Sequence, residues 1–139
     1  MLRYPLTHPE IIGALAAAGH GSQVLLMDAN YPHSTASNHR AVRVHLNLRP
    51  GMPLVTDVLA TLLTAVPIES AAVMAPHGGG DAPIFAEFAE LLGPGVPIAR
   101  LARHAFYEAG RGPNVALAVA TGEQRWWANL LLTLGAIEP

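Results

Sequence analysis

A chain of 139 residues, 51% of them hydrophobic and 13% charged, is long enough for one domain with a real core and too short for two. The usual charged share is about a quarter, so the surface of a monomer would be thinly covered, which favours a subunit that hides part of itself in an oligomer. A net charge of −2 with no Lys/Arg cluster argues against nucleic acid and anionic membrane as partners, and the absence of cysteine removes disulfides, thiolate metal sites and a Cys nucleophile.

The segment MLRYPLTHPE has no apolar run behind a basic region, and no stretch nears the roughly eighteen apolar residues of a membrane span. A soluble cytoplasmic protein is therefore expected. Thr7-His8-Pro9-Glu10 is a helix start, with Thr7 as cap, Glu10 three residues later and Pro9 in the first turn. Ile11, Ile12, Ala14, Leu15 and Ala18 give its apolar stripe, and Gly19 is placed to end it. Gln23–Met27 reads as a strand buried on both faces, and it ends at Asp28, where open parallel sheets place their ligands. A polar, His-rich loop from Asn30 to Arg40 follows.

Val42, Val44, Leu46 and Leu48 alternate as in a strand, closed by the turn Arg49-Pro50-Gly51. Asp57 is expected to cap a helix running to Val66. Ala71–Ala75 is a further buried strand, and Gly78-Gly79-Gly80 a loop. Asp81 and Pro83 open a helix through Leu92 that Gly93 closes. Val96–Leu101, Val115–Ala120 and Asn129–Leu134 complete the strands. Helices and apolar strands alternate along the chain, which predicts a single α/β domain over residues 1–139, with a mostly parallel sheet flanked by helices.

Gly19-His20-Gly21 is no dinucleotide fingerprint, because it precedes a strand instead of following one and lacks the third glycine. Gly78–Gly80 lacks the Lys-Ser/Thr of a phosphate loop, and no Gly-x-Ser-x-Gly elbow occurs. His33, His39 and His45 are spaced by six, which fits no helix face, so they read as solvated loop residues and no metal site is expected. His20, flanked by glycines, and Asp28 lie at opposite ends of one strand, roughly 20 Å or more apart. They can share a site only through a loop that folds back or across two subunits. Arg103-His104-Ala105-Phe106-Tyr107-Glu108 is either a sugar-binding set of forked donors and aromatic faces or an amphipathic turn with Phe106 in the core. Trp126 and Trp127 beside Asn129 read as core or interface residues with a hint of hydroxyl recognition.

Taken together, Gly19-His20-Gly21, Asp28-Ala29-Asn30-Tyr31-Pro32, Leu54-Val55-Thr56-Asp57-Val58-Leu59, Arg103–Glu108, and Thr121-Gly122-Glu123 running to Asn129–Leu132 resemble the ribose pyranase/fucose mutarotase family, in order and over nearly the whole chain. The resemblance implies a ring-like homo-oligomer, often a decamer, with sites at subunit boundaries. It matches His20 to the proton-donating histidine and Asp28 to the carboxylate that holds it or the sugar. Arg103 corresponds to the fucose-type arginine, and His104 falls where the ribose-type branch has a histidine. Tyr107 is similar to the Phe-Tyr-Glu tyrosine, a second proton carrier. Trp127 and Asn129 occupy the sugar-contacting Tyr-x-Asn positions. Two departures stand out: Trp127 where the family has Tyr, so a phenol becomes an indole that donates one hydrogen bond and accepts none, and Ser22 where Asp is common.

The implied activity is mutarotation of a monosaccharide, L-fucose first, through the open-chain aldehyde. One group protonates the ring oxygen while another takes the anomeric proton, and imidazole suits either step near neutral pH. His20 oriented by Asp28 is then the acid, with Tyr107 or a water as counterpart. The reaction involves neither redox nor group transfer, so no cofactor is implied. The competing expectations are a D-ribose pyranase, for which His104 speaks, and a non-catalytic monosaccharide-binding protein, for which Trp127 speaks.

Overall fold

A computed structural model describes all residues, Met1–Pro139. Its elements in chain order are α1 (Pro9–Ala17), β1 (Gln23–Met27), β2 (Val42–His45), α2 (Val55–Leu62), β3 (Ile68–Met74), α3 (Ile84–Leu92), β4 (Ile98–Leu101), α4 (Arg103–Gly110), β5 (Val115–Ala120) and β6 (Leu130–Leu134). No helix is long and apolar enough to cross a membrane.

The strands form one six-stranded sheet in the order β2-β5-β1-β6-β3-β4. β2, β5 and β1 pair in parallel, as do β3 and β4, and β6 runs antiparallel between β1 and β3. The expected mostly parallel sheet is thus a mixed one: two parallel blocks joined by a single reversed strand. Because β6 opposes both neighbours, the C-terminal ends of β1 and β3 flank its first residue, and this shared edge carries the site described below.

Side chains alternate between the two faces of the sheet, the period of an extended chain. On one face Val24, Leu26, Val44, Val73, Leu117, Val119, Leu130 and Leu132 join Ile11, Val58, Leu59, Phe85 and Phe88 from α1, α2 and α3 in one buried cluster. On the other face Leu25, Met27, Met74, Ala118, Ala120 and Leu131 pack against Phe106 of α4 and against Tyr31, Ala36 and Ala41 of the loop after β1. The continuous apolar runs of β1, β5 and β6 follow from this burial on both sides.

The boundaries shift for local reasons. His8, not Thr7, caps α1, its Nδ1 accepting from the Ile11 amide at 3.5 Å, and Ala18 rather than Gly19 ends the helix in an extended conformation. Asp57 lies in the first turn of α2, where its carboxylate accepts the Leu54 amide at 3.0 Å. That helix stops at Leu62 instead of Val66, because the Thr64 and Ala65 amides turn to the Thr61 and Leu62 carbonyls three residues back and tighten the last turn. β2 ends at His45 because its partner β5 ends at Ala120, which leaves Leu48 77% exposed. β4 begins at Ile98 rather than Val96, after Pro97, which has no N–H to offer. Asp81 is drawn away from α3: its two carboxylate oxygens take the Arg100 fork, each at 2.5 Å. Arg103–Glu108 forms most of a helix and not a turn, with Phe106 fully buried as its anchor.

Residues Thr121–Arg125, between β5 and β6, lock the site edge to the start of α2. Glu123 is buried; its carboxylate accepts Arg125 Nη2 at 2.8 Å, Arg125 Nε at 3.0 Å and the Val55 amide at 3.3 Å. Arg125 reaches onward to Glu87 of α3 at 2.8 Å. Burial opposes ionisation of Glu123, but the Arg125 side chain and amide outweigh it and hold its pKa below the ordinary value. Gly122 lies under the 49–53 turn, accepting the Gly51 amide at 2.6 Å and donating to the Pro53 carbonyl at 3.1 Å.

Candidate active site

A pocket of about 320 Å³, in the size range of small-molecule clefts, opens where β1 and β3 end and β6 begins. Asp28, the first residue past β1, lies on its inner wall and is only 4% exposed. Asn129, just ahead of β6, grips it twice: Asn129 Oδ1 accepts the Asp28 amide at 2.9 Å, and Asn129 Nδ2 donates to Asp28 Oδ2 at 2.8 Å. The other carboxylate oxygen accepts the Asn30 amide at 2.9 Å, closing an Asx-turn at the start of the loop. Burial raises the Asp28 pKa above the ordinary carboxylate value, against the opposing pull of the Asn30 amide, the Asn129 side chain, the Tyr31 amide and His33.

The wall contributed by α4 carries Arg103 and Tyr107. These residues are four apart and so share one helix face. Arg103 Nε donates to the Tyr107 hydroxyl at 3.2 Å, which leaves the phenol its own proton to give. The Tyr107 ring meets Tyr31 edge to face at 5.4 Å, and Tyr31 is itself fixed by donating to the Ala36 carbonyl at 2.7 Å. Burial, reinforced by nearby Tyr107, pushes the Tyr31 phenol pKa far up, so this hydroxyl serves as a neutral strut. His104, one residue along the helix, is exposed and does not line the pocket, though its ring stands 6.2 Å from that of Tyr107.

Trp126 and Trp127 form the outer wall, and Trp127 has φ of +69°, a left-handed conformation that costs a non-glycine residue roughly 1–2 kcal/mol. Strain of this kind concentrates at functional positions, and here it turns the indole toward the cleft ahead of Asn129. Met74 and His77, from the end of β3 and the loop beyond, complete the lining with Asn30 and Tyr31. The His77 ring meets Trp127 edge to face at 5.6 Å. Sequence reasoning did not place His77 at the site. The signal that singled out Asp28, a polar residue just past an apolar strand, applies equally to His77 three residues after Met74.

His20 stands apart. It lies between α1 and β1, and its Nε2 meets Glu69 Oε2 of β3 at 2.7 Å, with 63% of its side chain exposed. Gly21 next to it bonds to the Leu134 carbonyl at the far end of β6. Within one chain, His20 and Asp28 therefore lie beyond opposite ends of β1. Of the other residues expected at the site, Asp28, Arg103, Tyr107, Trp127 and Asn129 meet in one pocket and His104 stays outside it.

One carboxylate, two carboxamides, a guanidinium, a phenol and an imidazole around aromatic surface can bind a polyhydroxylated ring: acceptors and forked donors for hydroxyls, ring faces for C–H. No three His, Asp or Glu side chains converge in metal-binding geometry.

The comparisons with known proteins agree with the motifs. The model of the RbsD / FucU transport protein family matches residues 1–137. Fucose mutarotase of Danio rerio is 34% identical, covering 94% of this chain and 90% of that protein. D-ribose pyranase of Paracidovorax citrulli is 31% identical, covering 97% and 98%. The structure of Bacillus subtilis RbsD complexed with D-ribose superposes with a TM-score of 0.83 at 23% identity, covering 99% of this chain and 100% of that one. The two parallel blocks around a reversed strand are thus a known fold, and the chain belongs to the RbsD / FucU family, the ribose pyranase/fucose mutarotase family that its motifs resemble.

Proposed function

We propose that this chain is a sugar mutarotase that opens and recloses the ring of a monosaccharide, L-fucose first, by acid/base catalysis. The observation that carries the reading is the Asp28–Asn129 pair facing Arg103 and Tyr107 across a pocket of monosaccharide size. Asp28, with both oxygens already accepting, is fixed to take hydrogen bonds from sugar hydroxyls, and Asn129 holds it in place. Arg103 binds hydroxyl oxygens and orients the Tyr107 phenol.

The acid in this reading is His20 of a neighbouring copy, brought to the Asp28 edge by assembly into a ring-like homo-oligomer, with a decamer as the expected size. Two observations support assembly: the separation of His20 from its own chain's pocket, and exposed Tyr4, Leu48, Met52, Trp126 and Ile137 on a surface poor in charge. The protonated ring oxygen leaves the anomeric carbon as the anomeric hydroxyl loses its proton, and the aldehyde recloses on either face. Such proton transfers contribute about 10²–10⁴-fold, sufficient for a reaction that already proceeds in water.

D-ribose pyranase activity is the second reading, favoured by the relative from Paracidovorax citrulli, which covers nearly its full length. The exposed position of His104 outside the pocket weighs toward the fucose-type assignment. Anomer exchange followed by NMR magnetisation transfer with L-fucose, D-ribose and D-galactose tests the reading. Acceleration of L-fucose exchange that His20→Ala abolishes is expected. Binding of these sugars without any exchange would leave a non-catalytic sugar-binding protein instead.

A further inference from the structure

Seven histidines are present, and four have a ring nitrogen engaged within the chain: His8 with the Ile11 amide, His20 with Glu69, His33 with the Asp28 carbonyl and His39 with Arg43. Only His77 lines the pocket, and neither of its ring nitrogens is hydrogen-bonded to the protein. Its position is set from both sides. Before it, the Ala75 amide donates to the Leu101 carbonyl at 2.8 Å, and Pro76 fixes one backbone angle. After it, three glycines with φ of +87°, +83° and +85° turn the chain back to Asp81, which Arg100 clamps with two hydrogen bonds. The ring rests edge-on against Trp127.

We propose that His77 is a second proton carrier of this site, doing at the Trp127 wall what an indole cannot. Trp127 donates one hydrogen bond and accepts none, so it cannot take up a proton, whereas a neutral imidazole both donates and accepts. Tyr107 is already committed to Arg103 as an acceptor. The inference rests on the mutarotase reading and names its proton acceptor. Neutral His77 accepts the anomeric hydroxyl proton as the bond from anomeric carbon to ring oxygen breaks and the carbonyl forms. The ring oxygen takes a proton from the acid on the opposite side. On reclosure the imidazolium returns its proton to the new anomeric oxygen and the ring hydroxyl gives its proton back, so nothing is consumed. Because the indole fixes the imidazole, the strained Trp127 acts as a positioning residue for His77.

The test measures NMR anomer exchange of L-fucose and D-ribose by wild type, His77→Ala, His77→Asn, Trp127→Tyr and the double variant His77→Ala/Trp127→Tyr. Thermal melts confirm that each is folded. His77→Ala and His77→Asn are expected to lower the maximal rate by about 10²-fold with half-saturation nearly unchanged. Added imidazole, measured against imidazole without protein, is expected to restore much of the His77→Ala rate. Trp127→Tyr is expected to rescue the double variant by returning a phenol to the same wall. Wild-type activity that survives in His77→Ala, or a loss expressed as weaker sugar binding that imidazole does not relieve, overturns the role of His77 alone. A wild-type chain that accelerates neither sugar overturns the mutarotase reading and the role of His77 with it.

Discussion

One side-chain amide, that of Asn129, satisfies both the main-chain N–H and the carboxylate of Asp28, 101 residues away. The arrangement ties the end of β1 to the start of β6 and leaves the carboxylate facing the pocket. Replacing Asn129 with Ala strands a buried amide and removes a donor from a buried carboxylate. We expect a loss of about 2 kcal/mol in urea unfolding and a larger loss of sugar affinity than any surface substitution produces.

Asp28 itself gives a pH signature. Its pKa is raised in the folded chain, so folding holds that proton more tightly than the unfolded chain does, whose ordinary value is 3.8. The stability contributed by this group is fully present below that value and is lost as pH rises through the folded value. Asp28→Asn removes the titration. The stability of wild type minus that of Asp28→Asn should therefore fall as pH rises above about 4 and then level off. A difference that grows with pH would falsify the assignment of burial as the dominant cause.

Glu123 behaves in the opposite sense. Its pKa is lowered from 4.5, so its contribution is present above that value and is lost as pH falls through the folded one. Arg125→Met leaves the carboxylate, 1% exposed, with no counter-charge, while Arg125 itself is 39% exposed. We expect a cost of about 2 kcal/mol at neutral pH, below that of a fully buried pair because solvent already screens the guanidinium. The deficit should shrink in acid, which urea titrations at pH about 4 and about 7, on either side of that ordinary value, would reveal.

Gly122→Ala should be among the most damaging single changes outside the core. A Cβ there would overlap the carbonyl oxygens of Arg49 and Met52, and both belong to backbone that has no flexible end to move. We expect a loss of about 3 kcal/mol or failure to accumulate folded protein, read by thermal melting and circular dichroism.

Mixing experiments address the separation of His20 from Asp28. His20→Ala and Asp28→Asn chains, each expected to be inactive in anomer exchange, are unfolded together and refolded as an equal mixture. A site shared between neighbours regains both groups in about a quarter of random pairings, so activity returns toward that fraction of wild type. No recovery would mean that both residues must come from one chain. His20→Ala alone should cost less than about 1 kcal/mol of stability, because its bond to Glu69 is solvent-exposed.

The strands were the most legible part of the sequence. Val24–Met27 and Val115–Ala120 are apolar throughout because both faces of the sheet are covered there. The reversed direction of β6 was not legible, since an apolar run such as Leu130–Leu134 reads the same either way and only its distant partners decide. α4 was missed as a helix because only Phe106 and Gly110 are buried in it, while its polar face belongs to the site and not to the core. Asp28 announced itself by following a strand. His77 did not, because Pro76 and the glycine run mark a loop and conceal that the loop folds over the cleft. The spacing of His20 from Asp28 left open a loop folding back or a second subunit, and within the chain His20 instead pairs with Glu69.

Since β6 is the last strand in chain order yet sits fourth in the sheet, the molecule is synthesised with its middle missing. Until residues 130–134 leave the ribosome, β2-β5-β1 and β3-β4 have no strand to join them, and each half keeps an unpaired inner edge. Such edges invite pairing with other chains, so the nascent protein has a window of aggregation risk that closes only at the end of translation. A chain cut short before Leu130 would lose the seam between its halves, not a dispensable tail.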